Sequence, residues 1–142
     1  MSPDEFAKFI EQKASEIQEL QDRTLPIKGG AIAKGHFQDN FIQGGFVNGG
    51  LQRWQPKKKP DGYRELLSSR NNLFSSIQSV PGIGEVRIIN TLPYAAVHNE
   101  GLQAGRGKGF TMPKRQFIGE SKELNEKIEK MIDTEITNVL NS

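Results

Sequence analysis

The chain contains no cysteine. That absence excludes a disulfide framework, a thiolate metal site and a thiol nucleophile, and it leaves no sign of an oxidising compartment. Synthesis and use in a cytoplasm are expected. No apolar run approaches the ~20 residues that a membrane-spanning helix needs. The first residues, Met-Ser-Pro-Asp-Glu-Phe, are acidic where a signal peptide would be basic, so neither secretion nor membrane insertion is expected. Histidine is scarce, with only His36 and His98. Two histidines and scattered carboxylates fall short of a three- or four-ligand zinc set. His98 beside Glu100 invites an acid–base reading, but a catalytic base needs an aligned partner and a pocket, and the other histidine is remote in sequence. The expectation is therefore no enzyme, no metal and no cofactor.

What is present fits one ordinary domain. A chain of 142 residues is long enough to bury roughly two-thirds of its unfolded surface. Its 35% hydrophobic and 25% charged content suits a globular protein, while 15 glycines predict long irregular connections. The net charge of +2 hides an asymmetry. Residues 2–21 carry two basic and five acidic side chains, residues 120–142 three and six, and residues 22–119 fourteen and six. Both ends are thus at −3 and the middle at +8, a distribution that favours an acidic partner or surface for the middle.

Ser2, Pro3 and Glu5 form a helix start signal, and Phe6, Phe9, Ile10, Ala14, Ile17 and Leu20 then share one helical face. Leu25-Pro26 is expected to interrupt that helix, and Gly29, Gly30 and Gly35 to weaken the next one, which reads best from about Lys28 to Ile42. From Gly44 to Gly62 no regular structure is expected: the stretch mixes turn formers, Trp54 and the run Lys57-Lys58-Lys59. A short helical piece around residues 63–69 precedes a β-hairpin. Its first arm takes in Leu73, Ser75, Ile77 and Ser79, its second Val86 to Asn90, across the Pro81-Gly82-Ile83-Gly84 turn. A glycine-rich loop spans 101–109, an extended segment 110–117, and a last helix begins near Ser121, with Leu124, Ile128, Met131, Ile132, Ile136 and Val139 at helical spacing.

Two stretches carry a family signature. Pro93-Tyr94-Ala95-Ala96-Val97-His98-Asn99-Glu100-Gly101 and Met112-Pro113-Lys114-Arg115-Gln116-Phe117-Ile118-Gly119 occur in that order, divided by a basic glycine loop. With Phe41, Trp54 and Leu73-Ser76-Ile77 before them, they make the chain resemble the phage virion morphogenesis, or tail completion, family across roughly residues 3 to 140. The resemblance implies a non-catalytic part of the tail end or head-to-tail junction of a tailed phage or prophage. It also implies tail or connector proteins as partners, a homo-oligomer of ring type, and a place in the host cytoplasm during assembly and then in the virion tail or neck. One departure is the Asn71-Asn72 pair, where the family often has threonine-glycine. Asparagine tolerates a left-handed backbone, so the turn can survive.

The same residues have a physical reading of their own. Tyr94 and His98, four apart, project together from one helical turn, with Gly101 free to reverse the chain, so that they could clamp the following loop. Pro113, Arg115 and Phe117 alternate onto one side of an extended segment. Phe117 is then a core anchor, and Arg115 is a partner for a carboxylate, either inside the subunit or across a ring interface, where its fixed fork makes lysine a poor substitute. Trp54 is either a core cover or an interface anchor. Arg106 and Lys108 lie in a glycine loop that lacks the spacing of a nucleotide-binding loop and can order against a neighbour. Lys57, Lys58 and Lys59 form a solvated loop, or else face DNA or an acidic neighbouring protein. A nucleic-acid-binding module is accordingly the alternative function. The fold expected is α+β: an antiparallel sheet around 73–80 and 85–91, joined by 110–117, packed by the N- and C-terminal helices.

Overall fold

The computed structural model describes residues 1–67, 71–105 and 109–142. Helix α1 spans Pro3–Glu19. The Ser2 hydroxyl accepts from the Glu5 amide at 3.1 Å, and the Glu5 carboxylate accepts from the Ser2 amide at 3.1 Å, a reciprocal cap that satisfies two donors of the first turn. The expected break at Pro26 does not occur. A π-helical turn, Leu20–Thr24, joins α1 directly to α2, Leu25–Gln43. The hydrogen bonds give the physical reason. Proline cannot donate to the carbonyl four residues earlier, here that of Asp22, and this carbonyl instead accepts from the Gly84 amide at 3.1 Å. The wider turn accommodates the ring, and a distant hairpin supplies the missing donor.

Gly44, in the left-handed conformation (φ 75°), ends α2. Contrary to the expectation for 44–62, a small hairpin follows, with β1 Gly45–Val47 antiparallel to β2 Leu51–Arg53. Residues 63–67 form turns rather than a helix, and Ser68 and Ser69 lie outside the described residues. Leu73 and Ser75 belong not to a strand but to one helical turn, α3 Asn72–Ser75, entered through Asn71 at φ 49°. The left-handed residue of the pair is thus Asn71, at the position of the family's threonine, while Asn72, at that of its glycine, is helical. β3 Ile77–Gly82 and β4 Glu85–Asn90 form the main hairpin around Ile83-Gly84, with Ile77 opposite Asn90. α4 is Ala95–Glu100.

The segment 110–117 does not join that hairpin. Only Phe110–Thr111 (β6) is a strand, and it pairs with β5, Gln103–Ala104, so the described residues form three separate two-stranded antiparallel sheets. Beyond β6 the amides of Arg115, Phe117 and Ile118 find their partners on α4 instead of on β3 or β4. Ser121 caps α5, Lys122–Asn141, by accepting from the Leu124 amide at 3.3 Å.

The result is an α+β fold organised around α2. One face of α2 lies on the β3–β4 hairpin at Gly30, where an added Cβ would stand 2.8 Å from Val86 and closer still to Ser79. Another face meets α5 at Gly29, beside Ile128 and Met131. These glycines lower intrinsic helicity, but they allow close packing on both sides, and that packing sustains the helix. α5 runs antiparallel to the α1–α2 rod. Lys127 meets His36, Glu135 pairs with Lys28, and the Lys13 ammonium donates to the Val139 carbonyl at 2.8 Å and the Ser142 carbonyl at 2.6 Å.

The core joins Phe37 and Phe41 of α2 to Phe46, Trp54, Leu73, Ile77, Ala95, Phe117 and Leu124. The apolar face of α1 is not part of it. Leu20 is buried, whereas Phe6, Phe9, Ile10 and Ile17 are exposed. Helical periodicity identifies a face but not what covers it.

Candidate functional site

The family-like residues converge on one seam at the C-terminal end of α2. Trp54 follows β2, whose hairpin brings it back over α2; its amide donates to the Gly44 carbonyl at 2.9 Å. Its indole Nε1 donates to the Gln116 carbonyl at 2.8 Å, and its ring stands edge-on to Phe41 at 5.7 Å. With 7% of its surface exposed, Trp54 takes the core-cover role of the two considered. Phe117 is fully buried against Phe41, with ring centroids 5.2 Å apart.

Arg115 is also buried and turned inward, but its partner is not a carboxylate. Its Nε donates to the Gln55 carbonyl at 2.9 Å and one terminal nitrogen to the Pro56 carbonyl at 3.2 Å. The guanidinium fork therefore ties the segment after Trp54 to the segment before Phe117. Charge-assisted bonds to two successive carbonyls use the fork geometry that an ammonium lacks.

α4 clamps the same segment from the other side. Tyr94 and His98 stack edge-to-face at 6.1 Å. The His98 carbonyl accepts from the Arg115 amide at 2.7 Å, and the Asn99 Oδ1 accepts from the amides of Phe117 at 2.8 Å and Ile118 at 3.0 Å. Gly101 ends α4 at φ 70°, with Lys114 crossing so closely that an added Cβ would lie 2.9 Å from the Lys114 Cβ and 3.1 Å from its Cα and amide nitrogen. Glycine is thus required twice, by conformation and by proximity. Pro113, half-buried, sits at the outer end of this crossing. The expected pairing of Tyr94 with His98 is present, but the segment that α4 holds is 115–118 and not the loop that follows it, and the bonds come from the His98 carbonyl and the Asn99 side chain. The asparagine satisfies amides that would otherwise pair with a strand, and nothing local in the sequence distinguishes it from a solvent-facing asparagine.

A second group missed at the sequence level holds the other side of Phe117. Asn40, fully buried, donates to the Phe117 carbonyl at 3.0 Å and accepts from the Val47 amide at 3.3 Å. Beside it, His36 is bracketed by Ser121 at 3.0 Å from Nε2 and Lys127 at 3.1 Å from Nδ1, and the Ser121 hydroxyl donates to the Val47 carbonyl at 2.6 Å. An ammonium can only donate, so Nδ1 accepts and Nε2 carries the proton, which assigns the neutral tautomer from the network.

Burial, and then the Lys127 charge, lower the pKa of His36; burial, and then Arg115, lower that of His98. The His98 Nδ1 is buried without a hydrogen-bond partner among the described residues. A histidine whose folded-state pKa is depressed binds its proton more readily in the unfolded chain, so acid favours unfolding. Stability is therefore expected to be full above the ordinary histidine value of about 6.5, to fall as the pH drops below it, and to level off once both folded-state values have been passed. Thermal melts between about pH 7.5 and 5.5, a window above most carboxylate titrations, test this. A flat melting temperature across the window contradicts it, and a His36→Gln, His98→Gln double variant should show a shallower slope than the wild type.

Outside the seam lies an open groove of about 1100 Å³, lined by Lys57, Lys58, Lys59, Phe110, Met112 and Lys114 among others. Lys57 is partly tied down, donating to Asp61 at 2.8 Å and to the Leu67 carbonyl at 2.7 Å, whereas Lys58 and Lys59 are exposed. Arg106 and Lys108 lie outside the described residues. Among the described residues no three or more of histidine, aspartate and glutamate gather as a metal site, and no helix is long and apolar enough to cross a membrane.

This arrangement is a scaffold in which buried polar groups lock two loops together. The profile of the phage virion morphogenesis family matches residues 49–137, a span that includes every motif residue from Trp54 to Phe117, and the chain belongs to that family. Over 80 residues it is 32% identical to the Mu-like prophage FluMu G protein 2 of Haemophilus influenzae, a match that takes in 56% of each chain. The chain thus spans about half the length of that curated relative. No solved structure matches.

Proposed function

We propose that this protein acts, without catalysis, in tail completion or head–tail joining, working as one unit that binds tail or connector proteins and assembles with its own copies. Its place is the host cytoplasm during assembly and then the tail or neck of the virion. The observation that carries this reading is the seam itself. Arg115, Asn99 and Trp54 each spend their polar atoms on main-chain groups of neighbouring segments, which makes them rigidifying devices. A surface preorganised in this way reduces the ordering cost of docking to another protein.

A nucleic-acid-binding role is the second reading, favoured by the exposed lysines of the groove. Light scattering of the purified protein, titrated with the tail-tube protein of the same phage, separates the two. A discrete complex with that protein supports the assembly reading. A protein indifferent to tail and connector proteins, but retained on DNA with an affinity that falls steeply with salt, would replace it with the second.

A further inference from the structure

Arg115 is a buried cation without a counter-charge. Only 7% of it is exposed, yet among the described residues it forms no ion pair. A charge withdrawn from water in this way is costly unless something opposite meets it. Of the N–H donors of its fork, two are spent, on the Gln55 and Pro56 carbonyls. The others have no acceptor among the described residues, and none of them is sealed off, since the buried side-chain atoms left without a partner there are the His98 Nδ1 and the Glu123 Oε2. The unused donors therefore reach open space. Arg115 lines the groove beside the seam and also the smaller cavity it shares with Tyr94 and His98. Asp61 lines that smaller cavity too, but it is engaged by the Lys57 ammonium at 2.8 Å and the Tyr63 amide at 3.0 Å.

The groove repeats this imbalance on a larger scale. Lys58, Lys59 and Lys114 line it, exposed and, among the described residues, without an ion pair. No acidic side chain is found among its described lining residues. The same groove presents apolar surface: Phe110 is 54% exposed, and Met112 and Pro113 are half-buried. Its volume of about 1100 Å³ exceeds what a small-molecule site usually needs and suits a stretch of polymer chain. What would complete it is a ligand that carries carboxylates and apolar side chains together.

We infer that the groove receives an acidic, apolar segment of a partner protein, which lays apolar side chains on Phe110, Met112 and Pro113, sets carboxylates against the lysines, and offers one carboxylate to the unused donors of Arg115. The guanidinium is already fixed by its two main-chain bonds, so little side-chain freedom is lost when the carboxylate arrives. A protein segment fits these features better than nucleic acid does. A duplex would place phosphates on the exposed lysines and leave the apolar surface and Arg115 unused. A single strand calls for a series of aromatic platforms under successive bases, and Phe110 is the one aromatic side chain among the described lining residues. The inference deepens the proposed assembly role by naming the chemistry of the contact, and it rests on that reading in taking the partner to be a virion protein.

Short overlapping peptides covering the tail and connector proteins of the same phage supply the probes. The purified protein is screened against them, and fluorescence anisotropy measures the affinity of the strongest binder. That binder should be acidic and carry apolar residues, and exchanging its carboxylates for amides, or its apolar residues for serine, should each weaken it about tenfold or more. Two variants at exposed positions outside the core, Lys58→Glu with Lys59→Glu and, separately, Phe110→Ser, should lose about as much, while circular dichroism and melting verify that both fold. The Arg115 Nε–H resonance should shift with the acidic peptide and stay in place with its amide counterpart. No binding peptide, a binder that is neither acidic nor apolar, a groove variant that binds like the wild type, or an unmoved Arg115 resonance each overturns the inference. A single-stranded oligonucleotide that binds in place of every peptide, and is lost by the groove variants, overturns it by giving the groove to nucleic acid. Intact tail or connector protein bound equally by wild type and groove variants also overturns it, yet leaves the assembly role standing; a protein that binds neither peptides nor intact partners overturns both.

Discussion

Replacing Phe41 by alanine is expected to lower the free energy of unfolding by about 3–5 kcal/mol, the range for truncating a buried aromatic. Phe41 has no exposed surface and is the hub of the aromatic core, in contact with Trp54 at 5.7 Å, Phe74 at 5.8 Å and Phe117 at 5.2 Å. The cost should fall toward the upper end because the surrounding rings cannot readily collapse into the space. Trp54 is held by its bond to the Gln116 carbonyl, and Phe117 has its carbonyl bound by Asn40 and its amide by Asn99. Against a total stability of about 5–15 kcal/mol for an ordinary domain, such a loss is severe. Urea unfolding measures it as a shift of midpoint at constant slope. A loss below about 1.5 kcal/mol would mean that the core repacks, contradicting the rigidity assigned to the seam.

Asn99→Leu is expected to cost about 2–4 kcal/mol. The substitution keeps a side chain of similar size but removes the acceptor shared by the amides of Phe117 and Ile118. Each buried donor left unpaired costs about 1–3 kcal/mol. Asn99 is itself half-buried, so water should recover part of that. Asn99→Asp retains an oxygen at the same place and should stay within about 1 kcal/mol of the wild type, since a carboxylate accepts from both amides at least as well. Hydrogen exchange adds a local readout: in Asn99→Leu the Phe117 and Ile118 amides should exchange faster before any global loss is evident. Equal stability of the leucine and aspartate variants would remove Asn99 from the clamp.

Both substitutions probe contacts between parts of the chain that are distant in sequence, and contacts of that kind are what local sequence patterns do not carry. The cap at Ser2, the start of α5 after Ser121, the β-branched arm Val86 to Ile89 and the pairing of Tyr94 with His98 were all legible, because each depends on residues within a few positions of one another. The left-handed turn at Asn71 followed equally from the nature of asparagine. The continuity of the helical rod through Pro26 did not. It requires the amide of Gly84, in a hairpin far along the chain, to take the carbonyl that proline abandons. Segment 110–117 reads as a third strand because alternation is the only local signal it offers. Its hydrogen bonds go to the His98 carbonyl and the Asn99 side chain instead, and a periodicity argument has no means of weighing a side-chain acceptor against a strand edge.

The candidate site divides in the same way. Trp54, Tyr94, His98, Gly101, Pro113, Arg115 and Phe117 could be named from their residue types and order, and the inward direction of Arg115 and Phe117 followed from alternation. The partners could not: Arg115 binds carbonyls rather than a carboxylate, and Asn40 and Asn99 hold main-chain groups in a way that their type does not advertise. By itself the sequence determined the local elements, the α+β class and the family signature, since these rest on short-range hydrogen bonding, periodicity and ordered motifs. Only the tertiary structure decided which polar groups satisfy which distant main-chain atoms. It also decided that the apolar face of α1 stays uncovered, because burial depends on where α5 lies along the rod, and no pattern within α1 encodes that position.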